Sequence, residues 1–369
     1  MDVVPAGDTG LWTYPPFSGT IKDGFVWGRG AIDCKGLLVM QLFAVLQFLE
    51  ESKTHDLPYN VSVLFVSGEE GWFNNGSEYI SDQYLDELNP VVVFGEGGSG
   101  LKNFISSKPE LAVFGISVSE KKALWLRLDA NIKTSGHSAV PPELYANKRL
   151  LRTLIRLIDE KKMIRFDRQS RQMFRELGKI ERGLKGFVIG HANWDIFRPF
   201  TNPYFREGGD LYPFVYNTFV ITSISGLSSG TNQISDKASA ILDCRLFPEV
   251  QAEKFIRKIE NIAGPKITVS VILETPGAEP SPSDTRFYKA MEGSLQETFQ
   301  GSKTIPILFP GTTDNNFFRR KGIPVYGILP CIFTTDLLET VHNFDERIPV
   351  ENLHQGIQTF TGCIGRLLK

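Results

Sequence analysis

Two apolar runs that each end in carboxylates constrain this chain more than any other feature. Residues 61–66 close on Ser67-Gly-Glu-Glu-Gly71, residues 91–94 close on Gly95-Glu-Gly-Gly98, and a helix-like stretch at 77–88 lies between them. Strand, helix and strand in that order predict a largely parallel sheet with helices on both faces. In such sheets ligands bind outside the carboxyl ends of the strands. Asp33 lies in a comparable loop, just ahead of Lys35-Gly36 and an apolar helical stretch at 37–49. Glu69, Glu70, Glu96 and Asp33 would then meet at one sheet edge, where mutual repulsion calls for cations between them. Neighbouring side chains on extended backbone point to opposite sides, so Glu69 and Glu70 can serve different partners, one a metal and the other a water. Taken singly, the Glu pair also reads as a solvated turn and Asp33 as a helix cap.

From about residue 118 the pattern changes. Alternating runs at 123–132, 219–224, 238–246 and 266–273, with helices at 145–161 and 249–263, follow the β-α-β-β-α-β order of a ferredoxin-like α+β domain. A segment at about 166–213, aromatic and basic by turns, interrupts that order; a helical insertion covering a site is one reading of it, and the sequence does not decide. The α/β pattern returns from about residue 279, with a helix at 284–299, strands at 305–309 and 325–329, and a last helix at 350–368. The expected division is therefore 1–117 for the first part of an α/β domain, 118–278 for the inserted domain, and 279–369 for the second part.

Composition narrows the function. A net charge of -2 offers no electrostatic footprint for nucleic acid, and no apolar run approaches the roughly 18 residues that span a bilayer. Cys34, Cys244, Cys331 and Cys363 are widely spread, which argues against a disulfide framework or a cysteine zinc site and for small buried residues.

Eight motifs, in order, carry a resemblance: Asp2-Val-Val-Pro, Pro15-Pro-Phe-Ser-Gly, Gly28-Arg-Gly-Ala-Ile-Asp-Cys-Lys-Gly, Gly68-Glu-Glu-Gly, Gly95-Glu-Gly-Gly, Ser135-Gly-His-Ser, Asp243-Cys-Arg-Leu-Phe-Pro and His342-Asn-Phe-Asp-Glu-Arg-Ile-Pro. Together they resemble the two-zinc family of aminoacylase, glutamate carboxypeptidase, succinyl-diaminopimelate desuccinylase and carboxypeptidase S. The branch of carboxypeptidase S and the N-fatty-acyl amino acid synthase/hydrolase looks closest. The resemblance implies a zinc-exopeptidase-like α/β domain with the inserted domain as a lid and dimerisation unit. It implies two Zn2+ per subunit in the complete protein, with Co2+ or Mn2+ as substitutes. Asp33 would bridge the metals, Glu96 would bind the first, and Glu70 and His342 the second. Glu69 would be the general base, and His137 the lid histidine that stabilises the oxyanion, reaching across a homodimer into the partner's site. The substrate would be a dipeptide or N-acyl amino acid, with desuccinylase or deacetylase specificity open, and a metal-binding scaffold without turnover as the other reading.

Substrate contacts carry over to Asn232, Arg245 and the Gly311-Thr312-Thr313-Asp314 loop, although Arg245 also reads as a partner for Asp243. The chain departs from the pattern at Asn316, where relatives often carry Arg, so a carboxylate anchor is lost or moved to Arg319 or Arg320. It departs also at Gly95, where the branch usually has Asp, and at Gly68, where many members have Asp. Relatives have His-x-Asp where this sequence shows only Met1 and Asp2, Asp2 being the residue that orients that first-metal His. The resemblance thus implies that the sequence starts inside the motif, and that a chain beginning at Met1 binds at most one zinc and has little activity. The alternative is a one-metal variant using Asp33, Glu70 and His342. A cytoplasmic location is expected only if nothing precedes the catalytic domain.

Overall fold

Every residue of Val113–Glu120 is buried, the mark of a strand covered on both faces, and the first half of the architecture is built around it. The computed structural model describes residues 2–51, 58–71, 74–133, 136–226 and 232–368. In chain order the elements are β1 Thr20–Lys22, β2 Phe25–Trp27, α1 Lys35–Glu51, α2 Gly76–Gln83, α3 Leu85–Leu88, β3 Val93–Leu101, β4 Val113–Glu120, β5 Lys122–Asn131, α4 Ala146–Ile158, α5 Arg168–Glu181, α6 Gly183–Gly190 and α7 Arg198–Thr201. They continue with β6 Thr218–Gly226, β7 Lys237–Leu246, α8 Ala252–Ala263, β8 Ile267–Glu274, α9 Arg286–Thr298, β9 Lys303–Phe309, α10 Asn315–Arg320, β10 Val325–Phe333, α11 Thr335–Leu338, β11 Arg347–Pro349 and α12 Val350–Leu367.

The first large sheet has the order β10-β3-β4-β9. β10 with β3 and β4 with β9 are parallel, but β3 meets β4 antiparallel, so the sheet is mixed rather than largely parallel. The reason is the connection at 102–112, too short for the helical crossover that parallel neighbours need. Residues 61–66, expected as a strand, carry no strand assignment. A strand is defined by its ladder, and among the described residues no named strand pairs there, which leaves Val61, Leu64 and Phe65 37–46% exposed.

Helices cover both faces, as expected. On one, α1, α9 and α12 bury Met40, Met291 and Phe360 against Phe114, Ile116, Tyr326 and Ile328. On the other, Met173, Phe174 and Leu177 of α5 pack on Val113, Ile305 and Ile307. The aromatic and basic insertion is therefore helical and lies against the first sheet, where its apolar side completes a second core.

The second sheet is antiparallel with the order β6-β7-β5-β8, and α4 and α8 pack on it around Leu126, Leu128, Leu150, Leu154, Leu242 and Ile259. Its β-α-β-β-α-β chain order is the one read from the sequence. The two sheets join at a single residue, Lys121, between β4 and β5, and the return is pinned where the Ala123 amide donates to Thr275 Oγ1 at 2.7 Å.

Candidate active site

Asp33 is presented by a loop built around a buried carboxylate that the sequence did not single out. Glu346, wholly buried, accepts hydrogen bonds from Arg29 Nη1 at 2.7 Å and from the amides of Gly30, Ile32 and Asp33 at 2.9–3.0 Å. A charge-assisted cluster of this kind fixes backbone as well as side chain, so Asp33, two residues before α1, is held by a residue 313 positions away. The only trace in the sequence was the position of Glu346 inside the motif that begins at His342.

The Glu69-Glu70 turn is held in a similar way by Asp2. One Asp2 oxygen accepts from the Gly68 amide at 2.9 Å and the Glu69 amide at 3.3 Å, and the other from the Glu70 amide at 3.2 Å. Asp2, expected to orient a metal-binding histidine, is here an anchor for the loop that carries Glu69 and Glu70. Glu96 lies inside β3 rather than beyond its end. The register against β10 slips between the Gly95–Gly327 and Gly98–Ile328 pairs, so Glu96 and Gly97 form a bulge, a device that re-aims a side chain. Asn315 Nδ2 donates to the Glu96 carbonyl at 2.7 Å, and a Cβ on Gly95 would fall 2.0 Å from Asn315 Oδ1. That contact explains glycine where an Asp was expected: Asn315 occupies the space.

His342 completes the cluster from the turn before β11, with φ +59°, a backbone region that non-glycine residues occupy mainly at functional sites. Its Nε2 lies 2.9 Å from Asp33 Oδ2 and 3.4 Å from Glu70 Oε2. The ligand atoms of Asp33, Glu70 and His342 lie within 4.8 Å of one another, and so do those of Asp33, Cys34 and Glu96. Two triads sharing one carboxylate, with imidazole and oxygen donors, suit zinc. Cys34 is the exception among the cysteines. The other three are buried, whereas Cys34 reaches the cluster, with its thiol pushed well up by burial and by Glu96 and Asp33.

The electrostatics agree with a cation site. Burial, then the charges of Glu96, Asp314, Glu70 and Asp33, push Glu69 up to about 10. Burial and Asp33 push Glu96 up to about 8. Hydrogen bonds to Asp33 and Glu70 raise His342 to about 10. Acids that prefer protons beside a histidine that keeps one are the signature of crowded negative charge, which a bound cation relieves.

These residues open into a cavity of about 750 Å³. Beyond the acids its wall is apolar, with Leu101, Phe104, Met173, Phe214, Ile305 and Ile307, and Gly311 and Thr312 contribute to it. Arg245 also lines it, held by Asp243 at 2.9 Å and by Thr312 Oγ1 at 3.2 Å, so its pairing with Asp243 and its place at the cavity are both real. Other expectations need correction. Thr313 is not in the cavity wall, because its hydroxyl donates inward to Glu120 at 2.8 Å. Arg319 is no free anchor: it is 4% exposed, with its guanidinium on Glu120, Ser281 and the Val325 carbonyl. Asn316 donates to the Pro276 carbonyl. His137 and Asn232 bond to each other at 3.2 Å on an exposed loop of the second sheet, outside the cavity wall.

The sequence matches peptidase family M20/M25/M40 over residues 1–366. It is 28% identical to the N-fatty-acyl-amino acid synthase/hydrolase of Homo sapiens over 357 residues, covering 95% of this chain and 69% of that one. It is 24% identical to the probable carboxypeptidase S-like 2 protein of Dictyostelium discoideum over 364 residues, covering 96% and 68%. Among solved structures, the M20 family metallo-carboxypeptidase of Sulfolobus solfataricus aligns with a TM-score of 0.70 at 20% identity, over 100% of this chain and 83% of that one. At that identity the likeness speaks for the fold.

Proposed function

Since the chain belongs to peptidase family M20/M25/M40 and is a metal-dependent hydrolase, we propose that it cleaves the amide bond of an N-acyl amino acid or dipeptide using two zinc ions. The residues that would hold them are Asp33 between the two, Glu96 on one, and Glu70 and His342 on the other. When bound, zinc polarises the scissile carbonyl and acidifies water. Glu69 accepts the proton of the attacking water and returns it to the leaving amine. Its raised proton affinity suits that exchange once the neighbouring acids are balanced by cation charge.

One observation carries the substrate reading: acids, one guanidinium and an apolar wall share one cavity. Among the described residues lining it, Arg245 is the only Lys or Arg. With its Nε–Nη2 edge on Asp243, it can offer its remaining N–H groups to one carboxylate, that of the amino acid, and the apolar wall then receives the acyl group. A succinyl group would bring a second carboxylate with no second guanidinium to meet it, which favours an acylase over a desuccinylase. The second sheet serves as a lid through which two subunits pair. Supporting this are Leu151, Ile155 and Ile158 on α4, each at least 50% exposed, and the edge strand β6. His137, outside its own cavity wall, acts in the partner's site.

The test is zinc analysis together with amine release from N-acyl amino acids of increasing chain length, dipeptides and N-succinyl amino acids. Turnover that rises with acyl length and is weak for succinyl supports the reading. A zinc-free, inert protein would make it a scaffold instead.

A further inference from the structure

The insertion has two apolar sides, and only one is accounted for. Inward, Met173 and Phe214 line the cavity while Ala192 and Phe205 join the core beneath. Outward, Leu184 is 81% exposed, Ile196 74%, Phe200 66% and Tyr204 57%. Phe187 and Trp194 are about half exposed. Leu184 and Phe187 are one helical turn apart on α6 and so share a face. Phe187 meets Trp194 edge-on with ring centroids 6.4 Å apart, and Trp194 stacks on Phe197 at 5.9 Å. Soluble proteins rarely leave such a patch uncovered without a use for it.

We infer that this outer face is a docking surface for an anionic phospholipid bilayer. Charge selects that occupant. Over the whole insertion, residues 166–213 hold eight Lys and Arg against six acids, in a chain whose net charge is -2. Of those acids, Asp167 and Glu181 are buried, and Glu176, Asp195 and Glu207 pair with Lys179, Arg198 and Lys162, which leaves Arg168, Arg171, Arg175, Arg182, Lys185 and Arg206 without an acid among these pairs. The local field is therefore positive and complements acidic headgroups. The side chains fit as well. Trp, Tyr and Phe with basic residues among them, on short helical turns, match an element lying in the headgroup layer. The core of a protein interface is instead depleted in charge. No helix among the described residues is long and apolar enough to cross a membrane, and the docking inferred here is that of an exposed face. It would bring the segment that walls the apolar cavity against the phase in which apolar acyl compounds dissolve. That last consequence rests on the proposed substrate. The docking does not, and it is read without turnover.

The experiment is co-sedimentation of the full chain with phosphatidylcholine vesicles, with and without phosphatidylserine. A second readout is quenching of wild-type tryptophan fluorescence by lipids brominated in the acyl chain. Binding to the serine-containing vesicles, weakened by salt, and quenching that is lost in Trp194→Phe are expected. Ile196→Ser with Phe200→Ser, both at exposed positions, should lower partitioning about a hundredfold while melting is unchanged. No wild-type binding, no quenching, or equal binding by the double variant would overturn the proposal. So would a double variant that turns a dimer into a monomer, since a second copy would then be the occupant.

Discussion

Replacing Glu346 with Gln tests whether one buried carboxylate organises the Asp33 loop. The wild-type side chain accepts four hydrogen bonds, one of them from Arg29, in a pair whose side chains are 3% and 1% exposed. Glu346→Gln keeps the shape and one acceptor oxygen, but turns an NH2 group towards either the Arg29 and Gly30 donors or the Ile32 and Asp33 amides. Arg29 loses its counter-charge in either case. Removing one partner of a buried pair costs roughly 3–5 kcal/mol. With an unfolding entropy of about 2.1 cal/mol/K per residue over this length, that is a fall of about 4–6 °C in Tm. Because the Asp33 loop hangs on this one carboxylate in either orientation, zinc affinity should fall about 10- to 100-fold, as for lost support of a ligand. Scanning calorimetry and zinc titration against a competing chelator read the two effects. A variant within a degree of wild type and with unchanged zinc affinity would refute the reasoning.

Lys121, wholly buried with only the Tyr216 carbonyl accepting its proton at 2.5 Å, is pushed down to about 7 by burial. A base with a lowered folded pKa penalises the folded state fully below about 7, and the penalty fades as pH rises towards 10.5. Lys121→Met should therefore stabilise by roughly 2–4 kcal/mol at pH ~6, and flatten the rise in stability between about 7 and 10.5 in urea melts. Arg245→Ala should raise KM about 10- to 100-fold at unchanged zinc content, the loss of one charge-assisted contact. Equal kcat/KM for amidated and free-acid substrates in the wild type would remove Arg245 as the anchor. Mixing Glu69→Gln and His137→Ala subunits should restore about a quarter to a half of site activity if His137 acts across a C2 dimer. Proven exchange without recovery would place it in its own subunit or outside catalysis.

Much of the fold was legible because it follows from local periodicity. The second sheet, its two helices and the last helix lie within a few residues of their expected bounds. What periodicity cannot show is which strands meet. The β3–β4 pairing turned antiparallel on the length of one connection, and residues 61–66 depended on a neighbour outside their own segment. The cluster of Asp33, Glu70, Glu96 and His342 was found from residue type and motif order. Glu346 and Asn315 were not, and Asp2 was read for another role, because all three act through backbone amides and carbonyls that any sequence would offer. Arg319, one of the places to which a lost anchor could have moved, is spent on Glu120, and so is the Thr313 hydroxyl.

The central claim is a division of labour between adjacent residues, Glu70 holding zinc and Glu69 moving a proton. Zinc content and kcat of Glu69→Gln and Glu70→Gln, measured side by side, test it most directly. The account predicts that Glu69→Gln keeps its zinc and loses about two to four orders of magnitude in kcat, the range for a lost general base, while Glu70→Gln loses metal. Equal zinc loss in both variants, or full zinc and activity in Glu69→Gln, would contradict it.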